Sequence, residues 1–216
     1  MTLRIILVDD HQLFRDGLHS LFEQQEGFAI VGEAKDGRNA LRLVQEIRPD
    51  VLIMDASMPG MNGIEATRQI KADYPEVKVL VVSMHEDRRF VVAALEAGAD
   101  GYLVKDCPWE EFIQAVHAVQ ANYSYLCPQV AGYIADAYRK PQASSGTTGL
   151  LPLTGREREV LQLLAEGQTT EHIATLLHIS NKTVHTHRNH IMNKLHIDNL
   201  ADLTKYAIRE GLTTLE

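Results

Sequence analysis

The first 125 residues alternate short apolar runs with longer amphipathic segments. The apolar runs are Leu3–Val8, Phe28–Val31, Val51–Met54, Val77–Val82 and Gly101–Val104. They are rich in Val, Ile and Leu and lack the alternation of a half-exposed strand, so they predict strands covered on both faces. The segments between them space their apolar residues as helices do. Five β-then-α units of this kind predict a doubly wound parallel sheet with helices on both faces.

From Leu153 onward the pattern is helical throughout. Thr154 and Glu157 have the spacing of a capping box, and the helix that they begin stops at Gly167. A second short helix contains the apolar residues of 173–177, Ser180 caps a third helix that runs to about Leu195, and a fourth covers Leu200–Arg209. Short connections between the second and third helices favour a helix-turn-helix domain.

The stretch between these two regions predicts a connection. Val130–Tyr138 has a helical pattern, and residues 140–149 are rich in Ser, Gly and Thr, which is typical of a flexible linker. We therefore predict an α/β domain over residues 1–125, a helical extension and linker over 126–150, and a small all-α domain over 151–216.

Charge divides unevenly along the 216 residues. The net charge is −8, with −7 in residues 1–149 and −1 in residues 150–216, where six of the ten histidines lie. The total therefore does not exclude nucleic acid as a partner of the second domain. No apolar run approaches the ~20 residues of a membrane span, the N-terminus does not resemble a signal peptide, and two cysteines are too few for a disulfide framework. We expect a soluble, cytoplasmic protein that binds no membrane.

Polar residues follow the predicted strands at one edge of the sheet. Asp9 and Asp10 follow the first strand, Asp55 the third, Ser83 the fourth and Lys105 the fifth. Ligands of open parallel sheets bind at the carboxyl ends of the strands, so these side chains should converge. Three neighbouring carboxylates repel one another and require a cation, and hard oxygen ligands favour Mg²⁺.

Roles follow from this chemistry. Asp10, Asp55 and the backbone carbonyl of Ser57 would hold Mg²⁺, and Asp9 would act mainly through water. Asp55 has a second oxygen free to attack phosphorus, while Lys105 and Ser83 would stabilise the phosphoryl oxygens. The alternative is that each acid is an ordinary helix cap or turn residue. The convergence of five such groups favours a site.

Residues 1–125 resemble the receiver domain of two-component response regulators. The resemblance lies in the segments ILVDDH, LIMDASMPGMNG, VVSM and GADGYLVKD. It implies a flavodoxin-like five-stranded sheet of order 2-1-3-4-5. It also implies Mg²⁺-dependent phosphorylation of Asp55 by the phosphohistidine of a sensor histidine kinase. In such domains the residue at the position of Ser83 turns toward the phosphate and an aromatic at the position of Tyr102 swings inward.

The third C-terminal helix has two different faces. Val184, Ile191 and Leu195 form a packed stripe, and the opposite face carries amide, hydroxyl, imidazole and ammonium groups of the kind that read base edges and phosphates. A merely solvated face is the alternative. The residues that we predict to contact DNA are Lys182, Thr183, His185, Thr186, Arg188, Asn189 and Lys194.

Residues 153–212 resemble the LuxR-type helix-turn-helix of the NarL/FixJ family. The segments are LTGREREVLQLLAEG, IATLLHISNKTVHTHRNHIMNKL and AIREGL. The resemblance implies that phosphorylation frees this domain and promotes a homodimer through the last helix. Departures from the family are Glu171 and His185, where Lys is common, and His196, where Gly is common. Losing two cations weakens phosphate binding. With six histidines in the domain, we hypothesise tighter DNA binding near pH 6 than pH 8.

Together these features predict a DNA-binding response regulator that controls transcription and is not an enzyme. An aspartyl-phosphate phosphatase would need a second acid two residues after Asp55, where Ser57 stands. A regulator of the same fold that works without phosphorylation remains an alternative, and so does a phosphoryl-shuttle protein. The intact acidic pocket disfavours a regulator that works without phosphorylation. The presence of the second domain disfavours a phosphoryl-shuttle protein.

Overall fold

A computed structural model describes residues 2–132 and 153–213, which form two compact units with separate apolar cores. The strands of the first unit are β1 (Leu3–Val8), β2 (Phe28–Ala34), β3 (Val51–Asp55), β4 (Lys78–Ser83), β5 (Gly101–Val104) and β6 (Tyr125–Leu126). Its helices are α1 (Gln12–Glu23), α2 (Gly37–Ile47), α3 (Gly63–Asp73), α4 (Arg88–Glu96) and α5 (Trp109–Gln120).

All strands of the first unit pair in parallel, in the order β2-β1-β3-β4-β5-β6. Every residue of β3 is buried, which explains why its sequence shows no polar alternation. The predicted doubly wound sheet and the order 2-1-3-4-5 are confirmed, but the prediction of five strands is wrong because a sixth is present. Aromatic side chains of α1 and α5 pack together on one side, with the Phe22 and Trp109 rings 5.0 Å apart.

The sixth strand pairs with the outer edge of β5. Tyr125 lies opposite Gly101 and Leu126 opposite Tyr102, and the amide of Cys127 donates to the carbonyl of Tyr102 at 3.2 Å. These bonds use polar backbone groups that an edge strand would otherwise leave unpaired. The predicted domain boundary at residue 125 therefore falls inside a strand. Residues 128–132 are helical, and the rest of the predicted helix and the linker lie outside the described residues.

The second unit consists of α6 (Gly155–Ala165), α7 (Thr170–Leu176), α8 (Asn181–Leu195) and α9 (Leu200–Arg209). The predicted capping box of Thr154 and Glu157 is confirmed, and the Ser180 hydroxyl accepts from the amide of Thr183 to cap α8. Gly167 has the positive φ of 77° that ends α6. Apolar side chains from all four helices form the core. Among the residues described, no helix is both long and apolar enough to cross a membrane.

Candidate functional site

The carboxyl ends of β1, β3 and β5 bring two carboxylates and one ammonium together. The Nζ atom of Lys105 lies 2.7 Å from Oδ2 of Asp9 and 3.0 Å from Oδ2 of Asp55. All three side chains are buried, with at most 6% of any one exposed. One cation therefore holds one oxygen of each carboxylate, and the sequence-based convergence of these three residues is present in the structure.

Asp55 is electrostatically strained in this pocket. Burial, and then repulsion by Asp9, raise the pKa of Asp55 from 3.8 to about 6, although the nearby Lys105 acts in the opposite direction. At pH 7 the Asp55 side chain is ionised in roughly nine-tenths of the molecules, so it remains a nucleophile. A negative charge that is poorly compensated favours the binding of a further cation beside it.

Donor atoms suited to a metal ion lie close together around these carboxylates. Oxygen atoms of Asp9, Asp10 and Asp55 and a ring nitrogen of His11 all lie within 4.8 Å of one another. Lys105 contacts Oδ2 of two of these carboxylates, while Oδ1 of Asp55 accepts from the amide of Ser57 at 3.3 Å. Three carboxylates at one point fit a hard divalent cation such as Mg²⁺. Reasoning from the sequence missed His11, although it directly follows the two aspartates.

Ser83 and Tyr102, the two predicted switch residues, are both tied to the loop after β4. The amide of His85 donates to Oγ of Ser83 at 3.1 Å, and the Tyr102 hydroxyl donates to the carbonyl of His85 at 2.7 Å. Burial raises the pKa of Tyr102, and a hydrogen bond with Ser83 opposes the rise. The ring of His85 stacks on Phe90 with 4.2 Å between centroids. The backbone of His85 thus links Ser83 to Tyr102. The sequence pattern does not predict this link.

A close backbone approach explains why glycine follows Asn62 in the loop after β3. Asn62 caps α3 by accepting from the amide of Glu65 at 2.8 Å, and the amide of Gly63 donates to the carbonyl of Ala56 at 3.0 Å. A Cβ atom at Gly63 would overlap the carbonyl oxygen of Asp55. The MNG segment therefore fixes the backbone at the end of β3, and with it the position of the Asp55 side chain.

Helix α8 has the packed and exposed faces that the sequence predicts. Val184, Ile191 and Leu195 are buried in the core of the second unit. Of the seven residues predicted to contact DNA, four are exposed and three are partly buried. The exposed residues are Lys182, His185, Thr186 and Asn189, and the partly buried ones are Thr183, Arg188 and Lys194.

Two of the partly buried residues have contacts within the unit. The Lys194 ammonium lies 2.6 Å from Oε2 of Glu157, the capping-box residue of α6, and the Thr183 hydroxyl lies 2.8 Å from Oγ of Ser180. The ammonium of Lys194 is therefore already paired with the carboxylate of Glu157 within the domain. The DNA contact of Lys194 stays a prediction, and in it a phosphate would compete with a carboxylate that is only 6% exposed.

The two units match two known families. Residues 5–117 match the response regulator receiver domain, and residues 151–207 match the bacterial regulatory proteins of the luxR family. The chain is 37% identical over 222 residues to the transcriptional regulatory protein DegU of Brevibacillus brevis, covering 97% of this chain and 94% of that protein. It is 36% identical over 210 residues to the response regulator GacA of Pseudomonas aeruginosa, covering 97% of both.

One solved structure extends this similarity to a complex with DNA. It contains RcsB from Salmonella enterica serovar Typhimurium bound to promoter P1flhDC in the presence of the phosphomimetic BeF3-. The two chains align with a TM-score of 0.61 at 27% identity, covering 99% of this chain and 100% of that chain. The similarity therefore includes both units and is not confined to the α/β sheet.

Proposed function

Because this chain belongs to the NarL/FixJ family of response regulators, with a receiver domain and a LuxR-type helix-turn-helix domain, we propose that phosphorylation of Asp55 controls its binding to promoter DNA. The observation that carries the proposal is the Asp9–Lys105–Asp55 arrangement, in which one cation is shared by two buried carboxylates. A phosphoryl acceptor needs neighbouring charges to hold the anion that it receives, and Lys105 lies at the Asp55 side chain where that anion would form.

Asp55 is the proposed nucleophile. One of its oxygens attacks the phosphorus of a sensor kinase's phosphohistidine, and the nitrogen–phosphorus bond breaks as the new oxygen–phosphorus bond forms. Lys105 lies 3.0 Å from Asp55 and is placed to stabilise the phosphoryl oxygens. The proposed ligands of Mg²⁺ are Asp9, Asp10, Asp55 and the carbonyl of Ser57. When the ion is bound, it supplies positive charge that offsets the charge of the transferred phosphoryl group.

Ser83 and Tyr102 are the proposed switch. Oγ of Ser83 accepts from the amide of His85 at 3.1 Å. Its own O–H can still donate, so a hydrogen bond from Ser83 to a phosphoryl oxygen would draw Ser83 and the loop of His85 toward Asp55 together. The same His85 accepts from Tyr102, so that loop and the buried tyrosine would rearrange together. A new anion at Asp55 would in this way change the surface around α4 and β5.

The exposed face of α8 is the proposed DNA-reading surface. Lys182 is exposed and is suited to phosphate, while Asn189 offers an amide that can pair with adenine. The last helix, α9, is the proposed homodimer contact on activation. The protein would meet both a kinase and the chromosome in the cytoplasm, as a regulator and not as an enzyme.

The test is to incubate the full chain with Mg²⁺ and acetyl phosphate and to measure its mass and its DNA binding. We expect a gain of about 80 Da, the mass of HPO₃, which the Asp55→Asn variant lacks, together with tighter DNA binding. A protein that gains no mass but still binds DNA would favour a regulator that works without phosphorylation. A gain in mass without any change in DNA binding would favour a phosphoryl shuttle.

A further inference from the structure

His11 lies beside the acidic pocket and has no part in the function proposed above. Its Nδ1 atom is 3.2 Å from Oδ1 of Asp9 and 3.1 Å from Oδ1 of Asp10. The backbone amide of His11 also donates to Oδ1 of Asp9 at 2.9 Å, which holds the residue close to that carboxylate. The imidazole is 69% exposed, so the apolar core does not explain its position.

Nδ1 of His11 is hydrogen-bonded to Oδ1 of Asp9, and the separations around His11 also fall in the range found between ligands of one metal ion. Two neighbouring ligands at about 2.1 Å from an ion are about 3.0 Å apart in octahedral geometry and about 3.4 Å apart in tetrahedral geometry. The distances from Nδ1 of His11 to the Asp9 and Asp10 oxygens, 3.2 and 3.1 Å, lie between these values. Lys105 contacts the other oxygen of Asp9, Oδ2, and so leaves Oδ1 on the side of His11.

We propose that His11 is a ligand of the divalent cation in this pocket and shifts its selectivity from Mg²⁺ toward first-row transition metals. Imidazole nitrogen is a softer donor than carboxylate oxygen, and it suits ions such as Co²⁺ better than Mg²⁺. To bind the ion, Nδ1 gives up its hydrogen bond with Oδ1 of Asp9, and the ring proton is then on Nε2. The inference rests on the proposed function only in that both use the same acidic pocket.

The experiment titrates the metal-free full chain with Co²⁺ and with Mg²⁺ by calorimetry, in wild type, His11→Ala and His19→Ala. His19 is the matched control. It lies on α1, whereas His11 is the residue just before this helix, and its ring is 3.2 Å from the carboxylate of Glu33. Only Co²⁺ that excess Mg²⁺ displaces is counted, so that Co²⁺ bound by histidines outside the pocket does not enter the comparison. Paramagnetic shifts of the His11 ring protons, measured by NMR, give a second readout.

We expect His11→Ala to weaken Co²⁺ binding at the pocket at least about tenfold and Mg²⁺ binding by less than about threefold. His19→Ala should change neither affinity. Equal losses for both ions in His11→Ala, no loss for either ion, or the absence of paramagnetic shifts at His11 would overturn the proposal. Should His11→Ala fold poorly, as read from Trp109 fluorescence, the larger and polar His11→Gln must show the same selective loss.

Failure of this inference is separable from failure of the proposed function. The function is judged by the mass gain with acetyl phosphate and Mg²⁺ and by its loss in Asp55→Asn. A wild-type chain that gains no phosphoryl group, but whose Co²⁺ preference depends on His11, would refute the phosphorylation of Asp55 and support the metal ligand. A chain that is phosphorylated on Asp55, with a metal preference independent of His11, would support the phosphorylation of Asp55 and refute the metal ligand.

Discussion

Replacing Asp55 with asparagine should stabilise the metal-free receiver domain, because it removes a buried charge that the fold holds at a cost. Burial and Asp9 raise the pKa of Asp55 from 3.8 to about 6. A shift of about two units, at 1.36 kcal/mol per unit, means that ionised Asp55 destabilises the folded state by up to about 3 kcal/mol. The side chain is only 4% exposed, so solvent screening reduces this figure little.

The direction of the pH dependence follows from the raised pKa. The folded state holds the proton of Asp55 more tightly than the unfolded state, so ionisation lowers stability as the pH rises from about 4 to about 6. Below this range the carboxyl is neutral in both states, and above it the loss is constant. The stabilisation of Asp55→Asn should therefore be absent near pH 3.5, roughly half complete at pH 5 and complete at pH 7.5.

Urea unfolding in EDTA, followed by tryptophan fluorescence, measures this effect in the receiver alone. Trp109 is the single tryptophan of the chain and packs 5.0 Å from Phe22, so its emission reports on the first domain. Asp16→Asn, an exposed carboxylate on α1, is the control and should change stability by no more than about 0.5 kcal/mol. The reasoning is refuted if Asp55→Asn is no more stable than wild type at pH 7.5, or if its gain is the same at pH 5 and pH 7.5.

Three further predictions concern the two domains separately. Gly63→Ala should destabilise the receiver by about 3 kcal/mol in the same urea assay, because its Cβ would overlap the carbonyl of Asp55; a loss below about 0.5 kcal/mol would contradict the close approach. Lys194→Met should lower the stability of the helical domain by about 1–3 kcal/mol, seen by circular dichroism, since Glu157 loses its cation. A variant that keeps full stability but loses DNA affinity would instead support Lys194 as a DNA contact. DNA titrations at fixed salt test the hypothesis of tighter binding near pH 6 than near pH 8, and no gain toward acid would exclude it.

The fold was predictable because the buried strands are apolar on both faces, but strand ends depend on pairing. Leu3–Val8 and Gly101–Val104 have the predicted bounds, whereas β2 continues to Ala34 because Ala34 pairs with Val8. The strand Tyr125–Leu126 has only two residues, so no periodicity could reveal it. It forms because β5 offers an unpaired edge, which is a property of the assembled sheet.

The site was predictable where chemistry belongs to side chains at strand ends, and not where it belongs to backbone atoms or distant pairs. Asp55 and Lys105 come together because parallel strands end at one edge. The link from Ser83 to Tyr102 passes through the amide and carbonyl of His85, which every residue type except proline has. Lys194 meets a carboxylate 37 residues away, at a distance along the chain that helix geometry cannot reveal.

The central claim is that a phosphoryl group on Asp55 controls DNA binding, and one titration tests it directly. A duplex selected from a random-sequence pool by the acetyl phosphate-treated chain is titrated with wild type and with Asp55→Asn, each with Mg²⁺ and with or without acetyl phosphate. We predict that acetyl phosphate tightens wild-type binding about tenfold or more and leaves Asp55→Asn unchanged. An equal response of the two proteins, or no response of the phosphorylated wild type, would contradict the account.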